Sequence, residues 1–382
     1  MFAKIMRIGI DARFYGSVGK GLGRYTQKLI ENLEKAVAQG PSLQYFVFLR
    51  KENFDEYQPK NKNFQKVLAD YRWYTFSEQI NMPRILNKYN LDLVHFPHFN
   101  VPLFYRGKFI ITIHDLILIH FPTVRGTTLN PIFYWLKFLA YKIAIWSAIK
   151  RAEKIIAVSN FTKKDILKNY KIPKEKIKVT YEACDDFRET PAGNDEEILR
   201  RRGIIKPYLL YVGNAYPHKN LEKLILAFGK INKIKKDLHL VLAGREDYFY
   251  RRLKKIVKKK NIKNIIFTGF IPDGDLDSVY RNALLYVFPS LYEGFGLPPL
   301  EAMSKGTPVI SSDHQCMREI LEDSAYYFNG RKSDEITKAI IKVLDDEKLR
   351  EKLTAKGYEQ IKKYSWEKMA GETLDAYYHS TT

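Results

Sequence analysis

Two carboxylates, with two glycines directly after the first of them, carry the clearest chemical signal in this sequence. The stretch, residues 288–307, reads FPSLYEGFGLPPLEAMSKGT. Glu293 directly precedes Gly294 and Gly296, and seven residues separate it from Glu301. A carboxylate accepts hydrogen bonds from two adjacent hydroxyls, which suits the diols of a ribose or a hexose. The pattern therefore indicates a bend that binds a sugar or a nucleotide.

The segments on either side must position this bend. The apolar residues 283–287 predict a buried parallel strand, and residues 297–305 predict a short helix. Glycines let the backbone approach a ligand, and free N–H groups at a helix start carry the positive end of its dipole. A surface loop with one exposed glutamate is the alternative for an isolated pair of this spacing. The EGFG and PLEAM sequences favour the ligand site.

This combination resembles the signature of family 4 of the retaining glycosyltransferases, enzymes of the GT-B fold that move a sugar from a nucleotide donor to an acceptor hydroxyl. The resemblance implies that Glu293 contacts the hydroxyls of the transferred sugar and that Glu301 binds the nucleotide ribose. It also implies that the donor contacts the bend at four consecutive residues: Gly294, Phe295, Gly296 and Leu297.

Length and composition fit such an enzyme. A chain of 382 residues exceeds what one core usually serves, so two domains are expected. The formal net charge of +21 implies an anionic partner, which charge alone does not identify. The sequence has no nucleic-acid-binding signature. Its two cysteines have no metal or redox spacing, and the N-terminus has no signal peptide, so a cytoplasmic protein is expected.

The expected fold class is α/β, with two Rossmann-like doubly wound domains that face each other across a cleft, as the resemblance implies. We predict an acceptor-binding domain at residues 1–187 and a nucleotide-sugar-binding domain at residues 188–363. A last helix, residues 364–382, would cross back to the first domain. The charged segment 188–206 serves as the predicted linker.

A glycine-rich segment follows the predicted first strand, residues 6–11. Its three glycines stand in the order GxGxG, which does not match the dinucleotide fingerprint. The resemblance implies that this loop faces the donor diphosphate and the acceptor, with the next residue available to an acceptor phosphate. A flexible loop that caps a helix from residue 24 is the alternative. The residues concerned are Gly19, Gly21, Gly23 and Arg24.

His114 and Asp115 directly follow the predicted strand 109–113. The carboxyl end of a strand is where doubly wound folds bind ligands. The resemblance implies that His114 points at the transferred sugar. Asp115 is a weaker candidate, and a structural histidine is the alternative.

The segment GNAYPHKN follows another predicted strand, residues 208–213. A diphosphate would bind at the start of the next helix, with Lys219 as a point charge on its oxygens. The family often has an arginine after the strand's glycine, where this chain has Asn214, so His218 is expected to supply part of the missing positive charge. The resemblance also implies that the nucleotide base binds near Phe270 and Ile271.

Three acidic residues could be mistaken for a metal site. Asp273, Asp275 and Asp277 alternate in the sequence, but their place before a helix favours N-capping. The resembled fold works without a required metal. We therefore predict neither a metal nor a cofactor.

Residues 131–149 read PIFYWLKFLAYKIAIWSAI and form a long apolar segment with Lys137 and Lys142 in its middle. These lysines argue against a membrane-spanning helix. A helix packed on the sheet is one interpretation. The other is a helix whose edge of aromatic residues and lysines lies on an anionic leaflet, with Arg106, Lys108 and Arg125 nearby in sequence.

The resemblance implies a retaining, metal-independent hexosyltransferase, and the basic charge together with the aromatic segment predicts that it is peripheral at the inner face of the cell membrane. The acceptor would be a lipid-linked glycan of envelope polysaccharide synthesis. The P-x-K-N sequence resembles that of mannosyltransferases of this family, which implies GDP-mannose as the donor before a UDP-sugar. A nucleotide-sugar epimerase of the same fold and a nucleic-acid-binding protein are the alternatives; the first would change a donor without acceptor, and the second would bind nucleic acid with strong salt dependence. The sequence predicts no oligomeric state.

Overall fold

A computed structural model describes residues 5–37, 43–122, 130–184 and 194–381. The chain forms two compact units. The first comprises Met1–Leu116, Leu129–Glu182 and Ser365–Thr382, and the second comprises Ile117–Thr128 and Ala183–Tyr364. The predicted boundary between residues 187 and 188 lies outside the described residues, as does Arg125.

Within the described part of the first unit, seven parallel strands form one sheet: β1 (Met6–Asp11), β2 (Leu43–Leu49), β3 (Phe64–Leu68), β4 (Leu93–Phe96), β5 (Phe109–Ile113), β6 (Lys154–Ala157) and β7 (Ile177–Val179). Their spatial order is β3-β2-β1-β4-β5-β6-β7. The winding direction reverses between β1 and β4, which is where doubly wound sheets bind ligands. The central strands β4 and β5 are buried at every residue, as strands covered on both faces must be, and their two polar side chains, His95 and Thr112, lie 2.9 Å apart and bond to each other.

Within the described part of the second unit, six parallel strands form the other sheet: β8 (Tyr208–Val212), β9 (His239–Ala243), β10 (Ile265–Gly269), β11 (Leu285–Phe288), β12 (Val309–Ser312) and β13 (Ala325–Phe328). The order β10-β9-β8-β11-β12-β13 repeats the arrangement of the first sheet. Its winding reverses between β8 and β11, which pair in parallel.

The helices follow one another along the chain as α1 (Lys20–Val37), α2 (Phe76–Lys88), α3 (Ile117–His120), α4 (Pro131–Arg151), α5 (Asn160–Asn169), α6 (Asp195–Arg201), α7 (Leu221–Ile231), α8 (Tyr248–Lys260), α9 (Asp273–Arg281), α10 (Leu297–Ser304), α11 (Gln315–Leu321), α12 (Ser333–Asp345), α13 (Glu347–Ile361) and α14 (Trp366–Thr381). The last helix, α14, belongs to the first unit and packs against α1. The short α3 is grouped with the second unit, although it lies between β5 and α4 in the sequence.

Two local expectations differ from the structure, and three strands were not predicted. Helix α1 begins at Lys20, so Gly21 and Gly23 lie in its first turn and not in a loop. Part of the predicted linker folds as α6, because Asn194 caps it and three acidic residues occupy its first turn. The sequence also gave no prediction for β3, β12 and β13, which lie away from the winding reversal of each sheet.

Candidate active site

The two loops at the winding reversal of the second sheet bring Lys219 and Glu293 together. The first loop follows β8 and the second follows β11, and these strands are neighbours. The Nζ atom of Lys219 lies 2.6 Å from Oε1 of Glu293. The backbone N–H of Leu291 donates to the carbonyl of His218 over 2.7 Å, which ties the two loops to each other. The structure therefore joins three predicted site residues: His218, Lys219 and Glu293.

Glu293 is ionised in this setting. Only 7% of the residue is exposed, and burial by itself would disfavour the charge. The positive charge of Lys219 and the hydrogen bonds from Lys219 and Ser290 outweigh burial and lower the pKa of Glu293 below its ordinary value. The carboxylate is therefore a strong hydrogen-bond acceptor at neutral pH.

His218 does not supply the positive charge expected of it. Burial, followed by the neighbouring charge of Lys219, lowers the pKa of His218 to about 4. The ring is consequently neutral near pH 7, so it can donate a hydrogen bond but adds no charge. The expectation of a second cation beside Lys219 was wrong for this arrangement.

Asn220 fixes the position of Lys219. It adopts the left-handed conformation, with φ of 62°, and stands between the short 3₁₀ turn Pro217–Lys219 and the start of α7. Its side-chain nitrogen donates to the carbonyls of Pro289 and Gly330, at 3.1 and 2.7 Å. An asparagine tolerates this backbone conformation better than most residues. The turn is thereby anchored to the loop that carries Glu293.

Three buried tyrosines hold the backbone after β8. Their hydroxyls donate to the carbonyls of three consecutive residues, in the pairs Tyr286 to Val212 at 3.3 Å, Tyr250 to Gly213 at 2.7 Å and Tyr211 to Asn214 at 2.7 Å. The side chain of Asn214 accepts from the N–H of Tyr216, so it stabilises a turn. Hydrogen bonds from three phenol groups therefore stabilise the backbone conformation at the start of the predicted phosphate loop.

Glu301 lies on α10 with its carboxylate close to the same tyrosine cluster. The hydroxyl of Tyr280 donates to Oε2 of Glu301 over 3.0 Å. Burial is the main reason why the pKa of Tyr286 is raised well above its ordinary value, and the negative charges of Glu301 and, to a smaller extent, Glu293 raise it further. Both carboxylates therefore lie within electrostatic reach of one phenol, which agrees with the expectation that they serve one site.

The bend at residues 294–296 does not lead into a helix start with all its N–H groups free, as the sequence predicts. Gly296 has φ of +92° and is the N-cap of α10. Pro298 and Pro299 occupy the first turn of that helix and have no N–H to offer. The start of α10 therefore offers fewer N–H groups for hydrogen bonding than expected. In the proposed site, the backbone N–H groups of the bend would make more of the contacts with the nucleotide sugar. Phe295 is buried, with its ring edge-on to Tyr364 at 5.5 Å.

The nucleotide-base region lies at the end of β10. Phe270 is 65% exposed, whereas Ile271 is buried. The following acidic residues do not cap α9, since its N-cap is Pro272 and no side chain bonds there. Asp275 pairs with Arg201 and Arg202, and Asp277 pairs with Lys305 over 2.8 Å. The N-capping interpretation was therefore wrong. Among the described residues no cluster of potential metal ligands was found.

In the first unit, His114 lies at the end of β5 with both ring nitrogens occupied. Nδ1 is 2.8 Å from Oε1 of Glu182, and Nε2 is 3.0 Å from the carbonyl of Pro97. A carbonyl and an ionised carboxylate can only accept, so both nitrogens donate and the ring carries a positive charge. Burial opposes this charge, but Glu182, Pro97 and Asp115 outweigh it and raise the pKa of His114.

The glycines beside α1 have two different explanations. A Cβ on Gly19 would lie 2.0 Å from the carbonyl oxygen of Phe14, and one on Gly23 would lie 2.1 Å from that of Gly16. These two glycines are required by close backbone packing. Gly21 has nothing within 4 Å, so only this glycine leaves open space for a ligand. Arg24, one residue after Gly23, is partly buried and lies within α1.

Sequence reasoning missed several residues that hold these positions. Asn53 donates to three carbonyls of the loop after β1, those of Ala12, Arg13 and Tyr15. Arg13 is fully buried between Asp11 and Glu78. Glu182 precedes the linker and showed no pattern by itself. A signal existed only for Arg13, because an Asp-x-Arg sequence at the end of an apolar strand requires a buried partner.

Comparison with known proteins agrees with this architecture. Residues 19–187 match the family model Glycosyltransferase Family 4, and residues 195–360 match the model Glycosyl transferases group 1. The chain is 28% identical over 379 residues to O-antigen chain mannosyltransferase B of Escherichia coli, which covers 94% of this chain and 95% of that protein. It is 29% identical over 260 residues to O-antigen chain mannosyltransferase RfbU of Salmonella typhimurium, covering 67% and 66%.

Solved structures support the same fold. Sucrose-phosphate synthase from Thermosynechococcus elongatus superposes with a TM-score of 0.74 at 19% identity, and the match covers 98% of both chains. The prediction of two Rossmann-like α/β domains of the GT-B class is confirmed, as is the prediction of a hexosyltransferase. The epimerase and nucleic-acid-binding alternatives are not favoured. The two family models together cover most of the chain, which therefore belongs to family 4 of the glycosyltransferases.

Proposed function

We propose that this enzyme transfers mannose from GDP-mannose to a hydroxyl of a lipid-linked glycan, with retention of configuration and without a metal. The names of the relatives support mannose, since both proteins compared above are mannosyltransferases of O-antigen chains. The observation that carries the proposal is the contact between a buried ionised Glu293 and Lys219. This pair provides an acceptor for sugar hydroxyls beside a cation for phosphate oxygens.

The chemistry follows from that pairing. The bond between the anomeric carbon and the diphosphate oxygen breaks, and its electron pair leaves with GDP. The acceptor oxygen bonds to the same face of the anomeric carbon, and its proton passes to the departing phosphate oxygen. Lys219 stabilises the negative charge that develops on the leaving group, and His218 adds a neutral hydrogen-bond donor. Glu301 would hold the ribose, and the backbone near Phe270 and Ile271 would receive the base.

A donor panel tests this assignment. Because only a bound nucleotide raises the melting temperature, GDP-mannose should stabilise the protein more than UDP-glucose or UDP-N-acetylglucosamine. Glu293→Gln and Lys219→Ala should each abolish mannose transfer. Glu335→Gln changes an exposed acid on α12 and serves as the matched control. Full turnover in both site variants would reject the proposed roles of Glu293 and Lys219. A preference for UDP-sugars would reject GDP-mannose as the donor.

The exposed apolar surface of α4 supports the proposal that the acceptor is linked to a lipid. One helical stretch in the described residues, Ile132–Arg151, is long and apolar enough to cross a membrane by length and composition, and 22% of its most apolar window is buried. Ile132 and Phe133 are 70% and 62% exposed. Near the other end Ile145 and Ile149 are fully buried. We propose that α4 lies on the membrane with its first turns and does not cross it.

Further residues of the first unit extend this surface. Arg151 donates to the carbonyl of Leu103, which places the 56%-exposed Phe104 beside the end of α4. Lys137 and Lys142 stand between the exposed apolar side chains of the helix. Aromatic and aliphatic side chains can bury in a membrane surface, and the lysines between them are attracted to anionic lipid headgroups, so this surface favours an anionic leaflet.

Vesicle co-sedimentation tests the membrane assignment. Binding to vesicles that contain anionic lipid should exceed binding to neutral vesicles, and Phe133→Ser with Leu136→Ser should reduce it. Ile234→Ser is the matched control, because Ile234 is 72% exposed in the second unit. Equal pelleting with both vesicle types would contradict the electrostatic part, and equal pelleting of the double variant would contradict the role of α4.

A further inference from the structure

A second concave site lies in the second unit, apart from the residues proposed to bind the donor. Its volume is about 440 Å³, which is within the range of small-molecule sites. We call it the aromatic pocket and define it by six of its lining residues: Phe121, Tyr216, Pro217, Glu222, Phe249 and Arg252. The described residues that line it do not include Lys219, Glu293 or Glu301. The pocket shares the loop after β8 with the proposed donor site, since Ala215, Tyr216, Pro217 and Asn220 of that loop line it.

The apolar walls of the aromatic pocket are flat rings. The rings of Tyr216 and Phe249 meet edge to face, with centroids 5.1 Å apart and an interplanar angle of 89°. Tyr216 is 41% exposed although it is supported by this contact. The electron-rich face of an aromatic ring attracts C–H groups that carry partial positive charge. One face of a pyranose ring presents such C–H groups.

The polar edge of the pocket is a paired acid and base. Arg252 lies 2.8 Å from Glu222, and both side chains are partly exposed. Two further polar side chains of the lining are engaged elsewhere, since Asn220 bonds to the carbonyls of Pro289 and Gly330 and Lys223 bonds to the carbonyl of Arg331. An adjacent donor and acceptor suit a neutral polyhydroxyl ligand.

The segment after His114 closes this pocket and also reaches the donor bend. Phe121 lines the pocket. The ring of His120 lies 4.8 Å from that of Tyr292, and Phe121 lies 6.1 Å from His218. Tyr292 directly precedes Glu293 in the sequence. A ligand in the aromatic pocket would therefore touch the same short segment that packs on the donor site.

We propose that the aromatic pocket binds a sugar ring of the acceptor glycan, at a distance from the hydroxyl that receives the transferred sugar. This inference rests on the proposed function, because it takes the acceptor to be a glycan. The pocket is a binding site for one pyranose ring stacked on Tyr216, with its hydroxyls bonded to Glu222 and Arg252. The enzyme would then select acceptors by a sugar that is already part of the glycan and is not the sugar that receives the new residue.

Calorimetric titration of the full-length protein with a free linear α-mannose trisaccharide tests this site. Tyr216→Ala should weaken trisaccharide binding about tenfold, which corresponds to about 1.4 kcal/mol, because the ring contact is lost and the hydroxyl contacts lose their alignment. Arg252→Gln should weaken it as well. Tyr248→Ala is the matched control, because Tyr248 is 45% exposed and also contacts Phe249 but does not line the pocket.

GDP binding and GDP-mannose turnover are measured on the same variants. Unchanged GDP affinity with weakened trisaccharide binding supports the pocket. Equal trisaccharide affinity in the wild type, Tyr216→Ala and Arg252→Gln would overturn it, as would a wild type that binds no trisaccharide. GDP affinity that falls with Tyr216→Ala would assign the pocket to the nucleotide. A failure of GDP-mannose turnover alone would reject the proposed donor and leave the pocket result intact.

Discussion

The Nζ atom of Lys219 lies 2.6 Å from Oε1 of Glu293, and only 14% and 9% of these side chains are exposed. Removing one partner of a buried pair leaves the other charge unpaired, which costs about 3–5 kcal/mol. We therefore expect Lys219→Met to lower the free energy of unfolding by about 3 kcal/mol. The same change should abolish transfer. Urea unfolding and a donor-consumption assay measure the two effects separately.

The double variant Lys219→Met with Glu293→Gln separates structure from function. It removes both charges, so most of the lost stability should return while transfer stays absent. Because the pKa of Glu293 is lowered in the folded protein, its contribution to stability is present above the ordinary carboxyl pKa and is lost as pH falls through the folded value. An active double variant would show that the pair is only structural.

Gly296 offers a test of the bend itself. Its φ of +92° disfavours any side chain, and an added Cβ would lie 2.6 Å from the terminal methyl of Met317. We expect Gly296→Ala to reduce stability by about 1–3 kcal/mol and to weaken donor binding, because the backbone of the bend must shift. Thermal unfolding and nucleotide titration measure both.

Gly371 provides the matched control for this substitution. It lies within α14, and a Cβ there would meet nothing within 4 Å. Gly371→Ala should raise stability by about 0.5–1 kcal/mol, because alanine favours a helix interior over glycine. If Gly296→Ala proved as stable as the wild type, the left-handed geometry of the bend would be contradicted.

The sequence predicted the parts of this protein that have local patterns. Strands β1 and β5 were predicted with their observed bounds, because apolar runs of that length between polar segments are typical of buried parallel strands. The helical end of the chain from Ser333 onward was also predicted, since its apolar residues recur at helical spacing.

What the sequence did not predict depends on contacts between distant residues. Glu182 meets His114 across 68 positions, and the tyrosines behind the phosphate loop are brought there by three different elements. The neutral state of His218 follows from burial, which a local pattern does not reveal. Strand β3 is an edge strand whose polar residues Gln65 and Lys66 interrupt its apolar pattern.

His218 is expected to titrate far below an ordinary histidine. Burial and the charge of Lys219 lower its pKa to about 4, so its ring resonances should change near that pH in the protein without nucleotide. Added GDP should raise this pKa, because phosphate oxygens next to the ring would bring negative charge. NMR of ring-labelled histidine measures both values.

The histidine signals are assigned with His218→Gln, which removes one of them. His379 serves as the internal control, because it is exposed on α14 in the other unit and its signals should not respond to GDP. A pKa of His218 that is unchanged by saturating GDP would contradict the location of the diphosphate beside Lys219.

His114 and Glu182 predict a pH effect of the opposite sign. The folded pKa of His114 is raised, so the stability that its charge contributes is complete below about 6.5 and is lost as pH rises through the folded value. Glu182→Gln keeps the hydrogen-bonding shape but removes the carboxylate charge. The resemblance implies that His114 points at the transferred sugar, so we expect loss of its charge to slow transfer and to produce an alkaline limb in the pH–rate profile. In Glu182→Gln this limb should move to lower pH by about 1 unit, because the nearby negative charge that raises the pKa of His114 is gone.

Other groups around His114 decide how this result is interpreted. His95 and His98 also lie close to His114, and burial first and then the charge of His114 lower the pKa of each to about 3. They stay neutral across the range tested, and Asp115 remains in the variant. Glu153→Gln, an exposed change in the same unit, should leave the profile in place. Because Glu182→Gln acts on His114 through charge, His114→Gln should remove the alkaline limb altogether, and a limb that persists in His114→Gln would assign the titration to another group.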